Sequence, residues 1–173
     1  VVDALQQRLG GSPLVLRDQI YYRGSASTAA TALLRDDVRP AVAADREALA
    51  RATLQLNASD LGIAPARVDR RWLYDTIDER IAEGSTRVLG PVGAPWCKLD
   101  VGSKGPGGDV IEGVFTFESK RGQALARSLV ASCLAAADGE VCLHVGEHNH
   151  SARTAYEGAG MHETGRCRLL LVG

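Results

Sequence analysis

The stretch from Val110 to Ala126 constrains the fold of this chain more than any other. An extended apolar run ends near Phe117, a short basic turn of small residues follows, and a helical pattern begins at once. A strand that passes straight into a helix leaves the first helical N–H groups without intrahelical partners at the strand's end. The helix dipole adds about half a positive charge there, so such a turn can hold an anion by main chain alone. Lys120 and Arg121 add charge, and Gly122 lets the backbone come close. The same residues also suit a helix-start glycine beside a solvated basic pair, and this turn alone does not choose between the two readings.

The remaining periodicities place elements around this anchor. Val38 to Val42 reads as a strand, and after Asp45 a helical pattern carries Leu49, Thr53 and Leu56 on one face. Gly62 and Pro65 separate it from a second helix with Leu73, Ile77 and Ile81 in line, Val68 and Trp72 alongside, and Gly84 at its end. Thr86 to Leu89, Trp96 to Val101 and Val110 to Phe117 read as a three-strand meander, with Gly93 and the loop Gly102 to Gly108 as turns. Then come a helix from Arg121 to Ala137, a strand from Val141 to Val145, a helix from Ser151 to Ala159 and a last strand from Arg166 to Val172. This order predicts an α/β (α+β) domain, a mixed sheet with helices packed on it.

Ahead of these elements, Val1 to Leu9 reads as a helix, Leu14 to Leu16 and Ile20 to Tyr22 as two short strands, and Ser25 to Asp37 as a connector. We expect a boundary near Asp36, dividing an N-terminal segment (1–36), a remnant of a preceding domain, from the main domain (37–173). With 173 residues, 45% of them hydrophobic, the chain suits one core rather than two. The sequence begins at Val1 and its one methionine is Met161, so a fragment or a processed chain is expected.

Charge excludes some partners. Against 20 Lys and Arg stand 21 Asp and Glu, and a net charge of -1 sets up no global field toward nucleic acid or an anionic membrane surface. No apolar run approaches the roughly 20 residues that span a bilayer, and no signal peptide is visible. Cys97, Cys133, Cys142 and Cys167 form no C-x-x-C pair and lie among apolar residues, so buried reduced thiols and a cytoplasmic location are expected.

A second segment, Leu143 to Met161, adds a spacing of its own: Asn149, Ala152, Tyr156, Gly160 and Met161 follow a strand. It resembles the N-x-x-A-x-x-x-Y-x-x-x-G pattern of the GNAT acetyltransferases. The upstream turn, with Arg121, Gly122, Gln123, Ala124, Leu125 and Ala126, resembles that family's R-x-x-G-x-G/A signature. The likeness runs from about Val38 to Gly173. Softer cues, among them Leu16-Arg17-Asp18-Gln19 and Cys97-Lys98-Leu99-Asp100, resemble a GNAT subgroup with a poorly characterised region before the catalytic domain. Two positions depart from the pattern: Ala124 stands where the first glycine after the arginine is usual, and Glu118 where proline is common.

The resemblance implies a mostly antiparallel sheet with helices on both faces and a splayed central pair of strands that takes acetyl-CoA. It places Val114, Phe115 and Thr116 along the pantetheine, with Val145 opposite, Lys120 to Ala126 at the diphosphate, and Asn149, Ala152 and Tyr156 on the far wall. It makes Tyr156 the general acid, although a core tyrosine beside Ala152 and Ala159 fits the same stripe. Asn149 also suits a helix cap. For the base, Glu112 stands first, with Asp109 and His144 behind it; alternation with Val110 and Val114 does not say which way Glu112 faces. His148 and His150 lack further ligands at metal spacing. The implied activity is transfer of an acetyl group to a primary amine of a small molecule or peptide, by a monomer or homodimer. A non-catalytic acyl-CoA-binding or sensing domain is the alternative. The loops Asn57 to Arg67 and Gly102 to Gly108 are expected to border the acceptor.

Overall fold

The computed structural model describes residues 15–105 and 107–171, and the side chains of Val15 and Leu171 are left out of the description. The helix expected over Val1 to Leu9, and Leu14 and Val172 at the ends of expected strands, lie outside the described residues. Strands β1 (Val15–Gly24) and β2 (Arg39–Pro40) precede helices α1 (Arg46–Leu61) and α2 (Arg70–Ala82). Strands β3 (Thr86–Leu89), β4 (Cys97–Gly105) and β5 (Gly108–Thr116) form the meander. Helix α3 (Leu125–Ala135), strand β6 (Val141–Gly146), helix α4 (His150–Ala159) and strand β7 (His162–Leu171) complete the order.

These strands make one sheet in the order β2-β3-β4-β5-β6-β1-β7. All pairs are antiparallel except β5–β6, which is parallel and pairs only at Asp109↔Val141 and Val110↔Cys142. Beyond Val110 those two strands diverge, and this gap at the centre of the sheet is the splayed pair. A bulge contributes: the register between β4 and β5 shifts between Lys98 and Asp100, opposite Gly113, whose φ is +57°. A bulge bends its strand and sharpens its twist.

Period two divides the side chains between two cores. Leu89, Cys97, Leu99, Ile111, Leu143 and Val145 pack with Leu125, Leu129 and Leu134 of α3 and with Tyr156 and Ala159 of α4. On the opposite face Val88 packs with Leu49 and Leu54 of α1 and Leu73 and Ile77 of α2. Helices therefore cover both faces.

Several expectations need correction. The two short N-terminal strands are one, β1, which runs between β6 and β7 and pairs with both. The polar stretch Arg17-Asp18-Gln19 that divided them in sequence is its middle. The expected loop Gly102 to Gly108 is mostly hairpin, with β4 running to Gly105 and β5 starting at Gly108. Helix α3 begins at Leu125 rather than Arg121, because Glu118–Lys120 form a 3-10 turn and Ala124 is left-handed at φ +56°. The bulge at Gly113 puts Val114 against the α3 core and Glu112 on the other face, so the supposed alternation of Glu112 with Val114 breaks there. All four cysteines are free, but only Cys97 is buried; Cys133 and Cys142 are half-buried and Cys167, on β7, is exposed. Burial pushes the Cys97 and Cys133 thiols up to about 11.

Candidate functional site

The turn between β5 and α3 opens on a cavity of about 590 Å³. The first helical hydrogen bond runs from Ser128 N–H to the Ala124 carbonyl at 3.0 Å, so the N–H groups of Leu125, Ala126 and Arg127 precede the ladder. Gly122 is exposed at φ +76°, and a Cβ there would meet nothing within 4 Å, so the backbone lies open at this point. Lys120 Nζ stands 5.0 Å from the Trp96 ring centroid, and Arg121 Nε donates to the Thr116 carbonyl at 3.3 Å. Both cations are thus held beside the turn. Glu118 is exposed and does not line the cavity, whereas Asp60, at the end of α1, does.

Every residue expected around the cofactor borders this one cavity except Val145, which lines the smaller one at the splay. Val114, Phe115 and Thr116 come from β5, the run Lys120 to Ala126 from the turn and the first residues of α3, and Asn149, Ala152 and Tyr156 from the start and inner face of α4. Asn149 caps α4, its Oδ1 accepting from Ala152 N–H at 3.2 Å. Tyr156 packs edge-on to Tyr22 with ring centroids 6.2 Å apart. Burial first, then the Asp60 charge, raises its hydroxyl well above the ordinary tyrosine value, so it stays protonated at neutral pH.

Ala124 is the single non-glycine residue with positive φ among those described. Its methyl therefore does not stiffen a helix interior. It sits in a left-handed conformation that costs an L-residue roughly 1–2 kcal/mol.

A smaller cavity of about 90 Å³ fills the splay itself and joins Tyr156, Gly113, Val114 and Val145 to Arg17, Glu112 and His144. It leads to a cleft of about 440 Å³ between the sheet and helices α1 and α2. Thr53 and Leu56 line that cleft together with Leu49, the stripe expected on α1, as do Asn57, Asp60 and Leu61 of the expected acceptor loop. Among the described residues of 102–108, none lines it; Gly102 instead leaves room for the Glu112 carboxylate.

Sequence reasoning did not find the polar row on this face. Lys98 and Asp100 are each 3% exposed, with Lys98 Nζ 2.5 Å from Asp100 Oδ2. Thr86 Oγ1 donates to Asp100 Oδ1 at 2.7 Å. Arg80 places Nη1 2.5 Å from Asp100 and Nη2 2.5 Å from Glu112 Oε1. A Cβ on Gly113 would come within 2.7 Å of Asp100 Oδ2 and 2.8 Å of Lys98 Nζ, so this pair occupies the space that the glycine leaves. Glu112 thus faces the cleft with its carboxylate already engaged. His144, next to Tyr21 at 4.8 Å between ring centroids, borders both the splay and the cleft, and desolvation lowers its pKa. Asp109 lies where β5 and β6 are still paired and borders none of these three cavities. Among the described residues no group of three or more His, Cys, Asp or Glu gathers to hold a metal, and no helix is long and apolar enough to cross a membrane.

No family model matches the sequence. No curated protein matches it either. Solved structures do match. A GNAT-family acetyltransferase from Colwellia psychrerythraea aligns at TM-score 0.63 and 15% identity, over 98% of this chain and 60% of that one. A GCN5-related N-acetyltransferase from Sphaerobacter thermophilus aligns at TM-score 0.61 and 19% identity, over 98% of this chain and 56% of that one. An N-acetyltransferase from Staphylococcus aureus Mu50 aligns at TM-score 0.60 and 15% identity, over 78% of this chain and 99% of that one. The chain spans little more than half the length of the first two. At these identities the likeness is one of fold, and the chain has the fold of the GNAT superfamily.

Proposed function

We propose that this chain, built on the GNAT fold, is an N-acetyltransferase that moves an acetyl group from acetyl-CoA to a primary amine of a small molecule or peptide. The observation that carries this reading is the meeting, around one cavity, of a splayed strand edge, a helix N-terminus preceded by an open glycine, and a buried protonated tyrosine. The arrangement fits acetyl-CoA. Unladdered N–H groups at the start of α3, with Lys120 and Arg121, suit a diphosphate. The free edge of β5 beyond Val110 suits an extended amide chain.

Each group then has one task. The backbone N–H groups of β5 near Phe115 polarise the thioester carbonyl, an electrostatic role that needs no side chain. Tyr156, which burial keeps protonated, donates its proton to the departing thiolate. On the cleft side Glu112 draws the proton from the incoming amine, directly or through water, with His144 beside the same opening; both face the cleft where the amine must enter.

Binding of acyl-CoA without turnover is the second reading, favoured by the engagement of Glu112 with Arg80. Thiol release from acetyl-CoA in the presence of a panel of amines separates the two. Release that depends on an amine supports the transferase; none from any amine, in a protein that binds acetyl-CoA, leaves the sensing domain.

A further inference from the structure

The ionic side chains under α1 and α2 pair with one another except for two, Arg17 and Asp60. Lys98 and Arg80 share Asp100, and Arg80 also takes Glu112. Arg17, on the same face of β1, has no carboxylate partner among the described residues. Its Nη1 donates to the Asp60 main-chain carbonyl at 2.5 Å, and its Nε is buried with no acceptor among the described residues. A guanidinium stays charged at any working pH, and its planar fork of donors matches a carboxylate. A buried donor left unmade is unfavourable, and an anionic ligand would remove that cost.

Position narrows the ligand. Arg17 borders the small cavity at the splay that Tyr156 also borders, so an anion held there lies beside the reacting amine. In an α-amino acid the carboxylate is one carbon from the amine, and few other amines combine the two so closely. The adjoining cleft has an apolar wall of Leu49, Leu73, Ile77 and Trp72, and Trp72 is 60% exposed although it is large and apolar. That wall has the size and character for one side chain. Building on the acetyl-transfer reading above, we infer that the acceptor is a free α-amino acid with an apolar or aromatic side chain, its carboxylate held by Arg17. A peptide N-terminus fits less well, because its nearest carbonyl is an amide.

The test compares L-phenylalanine with phenylalaninamide, phenethylamine and a phenylalanyl dipeptide. Titrated calorimetrically into the protein alone, the free acid should bind about 10- to 100-fold more tightly than the others, the range expected of one charge-assisted pair. The same order should appear in kcat/KM with acetyl-CoA. Arg17→Gln should erase the acid's advantage while leaving the amide within about twofold, and Arg17→Lys should restore part of it. Equal binding of acid and amide by the wild type, or no binding of either, overturns the inference whatever the variants do. Turnover of amines without preference for the acid likewise overturns it and leaves acetyl transfer standing. Failure of acetyl-CoA itself to bind defeats the transferase reading, while the acid's preference is still read in the unliganded protein.

Discussion

The two large cavities that meet at the splay are built in opposite ways. The one at the α3 N-terminus is made chiefly by two short stretches of sequence, from Val114 to Arg127 and from Asn149 to Tyr156, joined by Leu56, Ser59 and Asp60 of α1, and its turn offers open main chain. The one under α1 and α2 draws side chains from β1, both helices, β3, β4, β5 and β6. Main chain set by a local turn binds a part common to many substrates. Side chains gathered from seven elements can differ from protein to protein while the fold stays fixed. Under the proposed function, the common substrate, acetyl-CoA, belongs in the first cavity and the discriminating one in the second.

The sharpest way to break this division is at Tyr156, which stands between the two. Tyr156→Phe keeps the ring packed against Tyr22 and removes only the acid. We expect turnover to fall about 10²–10⁴-fold, with acetyl-CoA affinity changed by less than about twofold, measured by steady-state kinetics beside calorimetry. A parallel loss of binding would mean that the hydroxyl holds the substrate rather than protonating it.

On the cleft side, Asp100→Ala strands Lys98, which is only 3% exposed, and should cost about 3–5 kcal/mol in denaturant unfolding. A loss below about 1 kcal/mol, the worth of an exposed pair, would show that the polar row is loosely held and would weaken the contrast. At the turn, Ala124→Gly should stabilise the protein by about 0.5–1 kcal/mol, because glycine accepts φ +56° and the unfolded chain regains part of the difference. A loss of about 1 kcal/mol is the result if residue 124 were inside the helix. The smallest effect expected is none: a hydroxyl whose pKa burial raises keeps its proton as pH climbs, so kcat should show no falling limb from Tyr156 between pH 7 and about 10. A descending limb near pH 8 that Tyr156→Phe abolishes would contradict that.

Legibility in the sequence followed the same division. The turn and the α4 stretch were readable because their residues are close in sequence and the backbone does the work. The start of α3 was misplaced by the turn that does this work, since Ala124 carries no sequence mark of a left-handed residue. Glu112 was found, but its facing was not, because the Gly113 bulge breaks the alternation that would have told it. Arg80, Lys98 and Asp100 were invisible as a group: Arg80 lies 18 and 20 positions from the other two and meets them only once β3, β4 and β5 pair and α2 lies across them. Arg17 did carry a signal. It interrupts an apolar strand with a charge, which made β1 look like two strands, whereas a charge inside a strand flanked on both sides is itself a reason to look for what it faces.

Calorimetric titration of acetyl-CoA into the wild-type protein tests the central claim most directly. Saturable binding of one molecule per chain, weakened when Lys120 and Arg121 are both replaced by alanine, is the result this account predicts. No heat of binding up to millimolar acetyl-CoA would contradict it and leave the GNAT fold here without its usual substrate.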